Sequence, residues 1–444
     1  MASPLDPHAA VVTEAGGLPP EAPARDAQAA RAAGLTTADG KPLKRALARA
    51  SRRSRRRAFL LVLPLLAFIV ITFVIPIGQM LHRSVHNDGF SANMPQIGAW
   101  FAQTEPGTPP DEAPFAALAE DLRLAAEERT IGIVGTRINY EMSGTRSLFT
   151  STGRKVRNGL EPPYREALLA LDKGWGDPAL WTAMRTSSTA YTDSFYMASL
   201  DRTRDDQGRI TQVNENRRVY IMLFMRTLWL SALVTFTTFL LGFPIAHLLA
   251  TLPLRRSNLL MILVLLPFWT SLLVRTTSWM VLLQQQGVVN DMLIWLGIIS
   301  ADGRLKMMYN QTGTIIAMTH ILLPFMILPL YSVMRTINPA YVRAARSLGA
   351  TSWTAFRRIY FPQTLPGLGA GALLVFILAV GYYITPALVG GASGQLISNM
   401  IAEHMTRTLN WSMAAALAAI LLAGVLILYW VYDRLVGIDN LKLG

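Results

Sequence analysis

Apolar runs long enough to cross a bilayer recur along this chain, at 58–80, 220–250, 259–283, 312–334, 368–388 and 413–432. Each predicts a membrane helix, because about 20 apolar residues at 1.5 Å rise span the hydrocarbon core. One polar, basic interruption, 338–366, stands apart from the other connectors, since it reads as two short helices joined at a glycine. Asn338 can cap and Pro339 can open the first. Tyr341, Ala344, Ala345 and Leu348 then fall at i, i+3, i+4, i+7 as one apolar stripe. Gly349 suits the left-handed residue that follows a helix. Thr351 or Ser352 can cap a second helix with Trp353, Phe356 and Tyr360 on one face, stopped by Pro362. Two spans need no amphipathic hairpin merely to join them, so the pattern suggests a docking surface for another protein. The other reading is a helix pair lying on anionic lipid.

The rest of the chain reads as a tail and an insert. Residues 1–57 form a disordered, basic N-terminal tail: Ala, Pro and Gly dominate up to 40, and nine basic residues with no acid follow from Lys41 to Arg57. The apolar run beyond is longer than the core of a secretory signal, so an uncleaved first span is favoured over a cleaved or twin-arginine signal. Residues 81–218 mix 16 basic and 18 acidic residues. They show helical patterning at 113–128, 163–171 and 178–200, with aromatic residues for a core, and predict a mainly helical extracytoplasmic insert. Residues 219–444 form a five-helix core containing the 338–366 loop.

Composition agrees with a membrane protein: 52% of the 444 residues are hydrophobic and 16% charged. The net charge of +13 admits nucleic acid or membrane as partner. Its distribution decides for the lipid bilayer, since basic residues flank the apolar runs. The connectors at 254–257 and 338–366 are basic, whereas 284–311 and 389–412 are weakly charged. Six spans starting inside place all the basic connectors, and both termini, in the cytoplasm. The absence of cysteine excludes disulfides, cysteine catalysis and thiolate metal sites.

Pro64, Pro76, Gly242, Pro244, Pro267, Pro324, Pro329, Gly381 and Pro386 punctuate the spans, as suits a bundle with an internal path. Arg275, in or near an end of the third span, is either a functional intramembrane charge or a residue that snorkels or bonds a neighbouring carbonyl. Tyr382 and Tyr383 either line a path and hold a cation or serve packing and the interfacial aromatic belt. His247 and His320 read as helix–helix hydrogen bonders, Arg226 as interfacial. The spans carry almost no acids before Asp433, which weakens the case for a polycationic solute unless a partner supplies them.

The 338–366 stretch resembles the EAA loop of bacterial ABC-importer permeases. Ala344, Ala345, Gly349, Ile359 and Pro362 match that pattern in register, while Arg343 replaces its glutamate and Phe361 its leucine. The segments 265–279, 322–334 and 381–391 are similar to the spermidine/putrescine permeases. The likeness covers 58–80 and about 219–434, leaving the tail and insert outside. It implies a permease that pairs with a second permease subunit, two ATPase subunits and an extracytoplasmic solute-binding protein in the bacterial inner membrane. Arg343, Ala344, Ala345, Gly349, Ala350, Phe356, Ile359 and Pro362 would couple to an ATPase, and Arg275, Tyr382 and Tyr383 would line the path.

There is no Walker loop, so ATP and Mg2+ are expected on the partner ATPases and no cofactor in this chain. The expectation is therefore an all-α polytopic transport subunit, not an enzyme, for a small hydrophilic, polyamine-like solute. The insert would shape the outer mouth, dock the binding protein or stabilise the fold. The alternative is a secondary transporter or channel; against it, no repeated halves or central ion pair are evident.

Overall fold

A computed structural model describes residues 43–157, 159–205 and 207–436. The chain divides after Ile77. In the first unit, α1 (Leu43–Ile69) is followed by a π turn at Val70–Val74, after which α2 (Ile75–Val85) begins. The expected disordered tail is thus corrected in part: 43–57 is helical, as its Leu, Ala, Lys and Arg favour. Residues 1–42 lie outside the described residues. Ser54–Val85 has the length and apolarity of a membrane span.

In the second unit, α3 (Pro95–Gln103), α4 (Glu112–Glu127), α5 (Ile131–Glu141), α6 (Thr145–Val156), α7 (Tyr164–Leu171), α8 (Pro178–Ser187) and α9 (Ser194–Ser199) surround an apolar core. Phe90, Met94, Phe115, Leu122, Ile138, Phe149 and Trp175 are fully or almost fully buried there. The hairpin β1 (Arg202–Arg204) and β2 (Ile210–Gln212) pairs Thr203 with Thr211 in antiparallel register. Asp201 then joins the insert to the membrane core. Its carboxylate accepts from the backbone N–H groups of Val219 (3.1 Å), Tyr220 (3.2 Å) and Ile221 (2.9 Å). These are orphan donors at the start of α10 (Tyr220–Thr251). The Tyr140 hydroxyl donates to Leu409 O, and Asn87 Nδ2 to the Ser412 hydroxyl.

The membrane core continues with α11 (Leu254–Leu265), α12 (Leu272–Leu282), α13 (Val288–Trp295), α14 (Gln311–Thr336), α15 (Pro339–Ser347), α16 (Ser352–Ala355) and α17 (Phe361–Gly381). It ends with α18 (Ile384–Val389), α19 (Gly391–Gly394), α20 (Ile397–Thr406) and α21 (Trp411–Val436). Among the described residues, five helices are long and apolar enough to cross a membrane, and one bent pair makes a sixth candidate. The chain is a polytopic, predominantly α-helical membrane protein.

Helices α10, α14 and α17 pack around Leu230, Val234, Met318, Leu322, Met326, Leu330, Val375 and Ala379. Small residues set their spacing: a Cβ at Gly367 would lie 2.9 Å from both Pro329 O and Val333 Cβ, and one at Gly371 would lie 3.0 Å from Met326 Sδ. Such i, i+4 glycines let two membrane helices approach closely.

Three expectations about the spans need correction. The third span is not one helix: Leu254–Trp269 and Leu272–Leu282 meet at 96°. Pro267 lies in the 3-10 turn Leu266–Trp269 before the break, and the Ser271 hydroxyl accepts from Val274 N to start the next helix. The fifth span ends at Gly381 rather than 388, because Tyr382 takes an extended conformation. Pro362 does not stop the hairpin's second helix. Ser352–Gly381 runs as one 30-residue span, through a π turn at Phe356–Tyr360 in which Phe361 N–H donates to Phe356 O. The same π turn precedes Pro76, with Ile75 N–H donating to Val70 O. A proline lacks its N–H and its ring crowds the carbonyl one turn back; a widened turn just before it relieves that crowding and keeps the helix going.

Candidate functional site

The hairpin's first helix has its predicted ends. Asn338 Oδ1 accepts from Ala340 N at 2.9 Å, with Pro339 in the first turn. Gly349 takes φ +87°. Gly349 N–H donates to Arg346 O and Ala350 N–H to Ala345 O, at 3.0 and 3.1 Å. These bonds satisfy terminal carbonyls in the manner of a left-handed helix stop. A Cβ at Gly349 would meet nothing within 4 Å, so the constraint there is backbone conformation and not space. Thr351 caps the second helix through Thr354 N, at 3.2 Å.

The apolar stripe is largely exposed among the described residues. Tyr341 is 56% and Leu348 89% exposed. With Ala344, Ala345, Ile359 and Gln363 they line a shallow groove between the two arms of the hairpin. Arg343, Arg346, Arg357 and Arg358 are exposed, and none of them belongs to an ion pair among the described residues.

The opposite face of the hairpin is tied to the core. Trp353 stacks on Phe356 (5.7 Å between ring centroids) and Phe356 on Tyr360 (5.9 Å). Phe243 of α10 meets Phe356 edge-on and Phe361 at a tilt. His247 Nδ1 and the Tyr360 hydroxyl share a hydrogen bond of 2.9 Å. Arg335 NH1 donates to Ala250 O at 2.7 Å, joining the ends of α14 and α10 beside the hairpin. Contact of the hairpin with helix α10 was not expected from sequence, and Phe243 carries no local signal that would have marked it.

A second site forms where two helices break. Arg275 on α12 is half-buried, and its Nε is buried without a hydrogen-bond partner. Next to it the Thr276 and Thr385 hydroxyls are 3.1 Å apart, and Trp279 Nε1 donates to His320 Nδ1 at 3.1 Å. The Thr276–Thr385 contact joins α12, which carries Arg275, to α18, which follows Tyr382 and Tyr383. Tyr382 is half-buried against the core, while Tyr383 is 46% exposed.

The carbonyls released at this break are satisfied from α20. Ser398 Oγ donates to Tyr382 O at 2.6 Å and Asn399 Nδ2 to Tyr383 O at 2.7 Å. Asn399 also accepts from Leu396 N, and Thr227 Oγ1 on α10 accepts from Ile397 N at 2.8 Å. Irregular backbone at membrane depth requires such internal partners. Ser398 and Asn399 were read as part of an outer loop. Their one signal was a polar pair flanked by Leu396, Ile397 and Met400. Arg226 NH1 donates to Ala392 O at 2.9 Å, which fixes the same loop from α10.

A protein-family profile described as "Binding-protein-dependent transport system inner membrane component" matches residues 219–437. The spermidine/putrescine transport system permease protein PotB of Escherichia coli (strain K12) is 35% identical over 245 residues, covering 53% of this chain and 88% of that protein. PotB of Salmonella typhimurium (strain SL1344) is also 35% identical, over 85% of its length. The inner membrane ABC transporter permease protein YdcU of Escherichia coli (strain K12) is 32% identical over 204 residues, 44% of this chain and 65% of that protein. A chain of a solved bacterial alginate ABC transporter is similar over 51% of this chain and 81% of that chain, at 20% identity and a TM-score of 0.41. Both the hairpin and the broken helices lie within the matched residues. By its matched core and the extent of its likeness to PotB, this chain belongs to the inner-membrane permease subunits of binding-protein-dependent ABC importers, in the spermidine/putrescine permease family.

Proposed function

We propose that this permease imports a polyamine-like solute, driven by ATPase subunits that seat in the groove of the 338–366 hairpin. Two ATPases, a second permease chain and an extracytoplasmic solute-binding protein complete the transporter; ATP and Mg2+ reside on the ATPases. The observation that carries this reading is the continuous helix Ser352–Gly381. One of its ends lies in the hairpin. Its other end is the break at Tyr382, three residues before Thr385, whose hydroxyl meets that of Thr276 on α12. At 1.5 Å per residue that rod is about 45 Å long. A partner closing on the exposed Tyr341–Leu348 stripe would displace the hairpin. The aromatic stack and the His247–Tyr360 bond would carry the displacement into α10, and the rod would carry it to the polar break. An exposed helix face and its groove suit helix-in-groove docking.

The solute class rests on the permease relatives, whose names specify spermidine and putrescine. Low-dielectric passage of a polycation calls for carboxylates. The second permease chain would supply them, since the described spans hold almost none.

The absence of cysteine makes a direct test simple. In the assembled transporter, Ala345→Cys should cross-link to a single cysteine on the ATPase surface, and binding protein loaded with spermidine should stimulate ATP hydrolysis. Failure of the chain to co-purify with an ATPase would sink the coupling. Stimulated hydrolysis without spermidine or putrescine uptake would leave the coupling standing and remove the polyamine.

A further inference from the structure

A cavity of about 860 Å3 lies in the insert, walled by Trp100, Trp181, Tyr191, Tyr196, Asp193 and Arg204 among others. Its size falls in the range of pockets that enclose an organic molecule of many heavy atoms, about 300–1,000 Å3.

The walls are held by bonds made outside the cavity. Arg185 donates from NH1 to Phe101 O (2.9 Å) and Thr104 O (2.6 Å), and from NH2 to Thr104 Oγ1 (3.0 Å) and Glu105 O (3.1 Å). Its guanidinium lies over the Phe101 and Trp100 rings at 5.0 and 5.8 Å, which clamps the end of α3 to α8. Trp181 Nε1 donates to Trp175 O at 2.8 Å. The Tyr196 hydroxyl bonds the Ser84 hydroxyl at 2.8 Å, and Tyr191 packs edge-on against His86. A pocket fixed in this way loses little freedom when it is filled.

The charges along the walls are already committed. Arg185 is spent on three carbonyls and a hydroxyl, Arg204 pairs with Asp193 at 2.8 Å, and Asp205 pairs with Arg209 at 3.0 Å. Among the described residues, the lining charges Arg185, Arg204, Asp193 and Asp205 are two of each sign, so a strongly charged ligand gains no free counter-ion from them. What the cavity offers is aromatic surface edged by the Tyr191 and Thr192 hydroxyls and the Gln207 amide, groups that both donate and accept. The chemistry complementary to that is a ring with an apolar C–H face and a rim of hydroxyls.

We propose that this cavity binds a neutral oligosaccharide, with a sugar ring against Trp100 and hydroxyls toward the Arg204–Asp193 pair. The site lies in the insert and does not depend on the substrate proposed above.

The test is calorimetric titration of the full-length protein in lipid nanodiscs, free of glycosidic detergent, with maltotriose, cellotriose and triacetylchitotriose. At least one should bind saturably. Trp100→Ala should weaken it by about tenfold, the loss of one 1.4 kcal/mol contact. Because Trp100→Ala removes a packed ring, Thr189→Trp supplies a second variant: Thr189 is an exposed wall residue, and a large ring there should block binding with an unchanged melting temperature. The proposal fails if none of the three binds, or if Thr189→Trp leaves binding intact. Binding of spermidine in preference to the sugars would also overturn it.

Discussion

The Tyr360 hydroxyl and His247 Nδ1 lie 2.9 Å apart, and this bond ties the hairpin to α10 by polar chemistry beside the aromatic stack. A hydrogen bond of this kind contributes about 1 kcal/mol, too little to decide folding but enough to decide how tightly two elements move together. Tyr360→Phe should keep the ring packing on Phe356 and lose only the bond. The expected outcome is normal membrane insertion and ATPase co-purification, with binding-protein-stimulated ATP hydrolysis reduced several-fold. Unchanged stimulation would show that the ring contacts alone carry the coupling.

Gly349 is constrained by its φ of +87° and not by its neighbours. Gly349→Ala should therefore cost about 1 kcal/mol, the penalty of a left-handed non-glycine residue, and lower uptake in part. Gly349→Pro cannot adopt that φ and also loses the N–H bonded to Arg346 O. It should abolish uptake and stimulated hydrolysis without preventing insertion. Parallel uptake and ATPase assays on the two variants rank the effects.

At Gly367 the constraint is reversed, because the Cβ position lies 2.9 Å from Pro329 O and Val333 Cβ. Gly367→Val should force α17 from α14 and destabilise the core by about 1–3 kcal/mol, the usual cost of overpacking. A lowered melting temperature in nanodiscs is the expected readout. An unchanged value would mean that the helices are free to part.

The insert should respond to pH at Asp121. Burial pushes this carboxyl up to about 6, although Ile97 and Gln96 N–H groups donate to it. A folded-state value above the ordinary 3.8 means that the folded chain holds the proton longer than the unfolded one. The stability this contributes is full below the unfolded value and is lost as pH rises through about 6. Hydrogen exchange at the start of α3 should thus be faster at pH 7.5 than at pH 5 once corrected for intrinsic rates. Asp121→Asn should remove that difference. His404 has the opposite sign: burial lowers its imidazole against the opposing Glu403 charge, so its contribution is lost as pH falls below the ordinary 6.5. A local measurement at α3 separates the two.

Much of the hairpin was legible because its rules are local. Asn338, Pro339, Gly349 and Thr351 act within four residues, and the Tyr341–Leu348 stripe follows from helical period alone. The broken span was not legible, because Pro267 is compatible with a kink, a 3-10 turn or a full break, and packing selects among them. The passage of the helix through Pro362 also escaped local rules, since a π turn leaves no composition signal. The polar cluster was half visible. Arg275 and Tyr382 stood out as polar or aromatic groups in apolar runs. The Trp279–His320 and Thr276–Thr385 bonds near them, and the support of the break at Tyr382 by Ser398 and Asn399, depend on contacts between distant segments.

The carboxylate of Asp201 has a practical consequence for dissecting this protein. It belongs by sequence to the insert, yet it caps the three amides that begin α10. Trimming the chain at the apparent boundary, 81–218, would strip α10 of its cap and leave those donors bare. Loss of transport in such a deletion would then report a damaged helix start rather than a missing domain. An informative excision keeps 200–218 and closes the gap upstream.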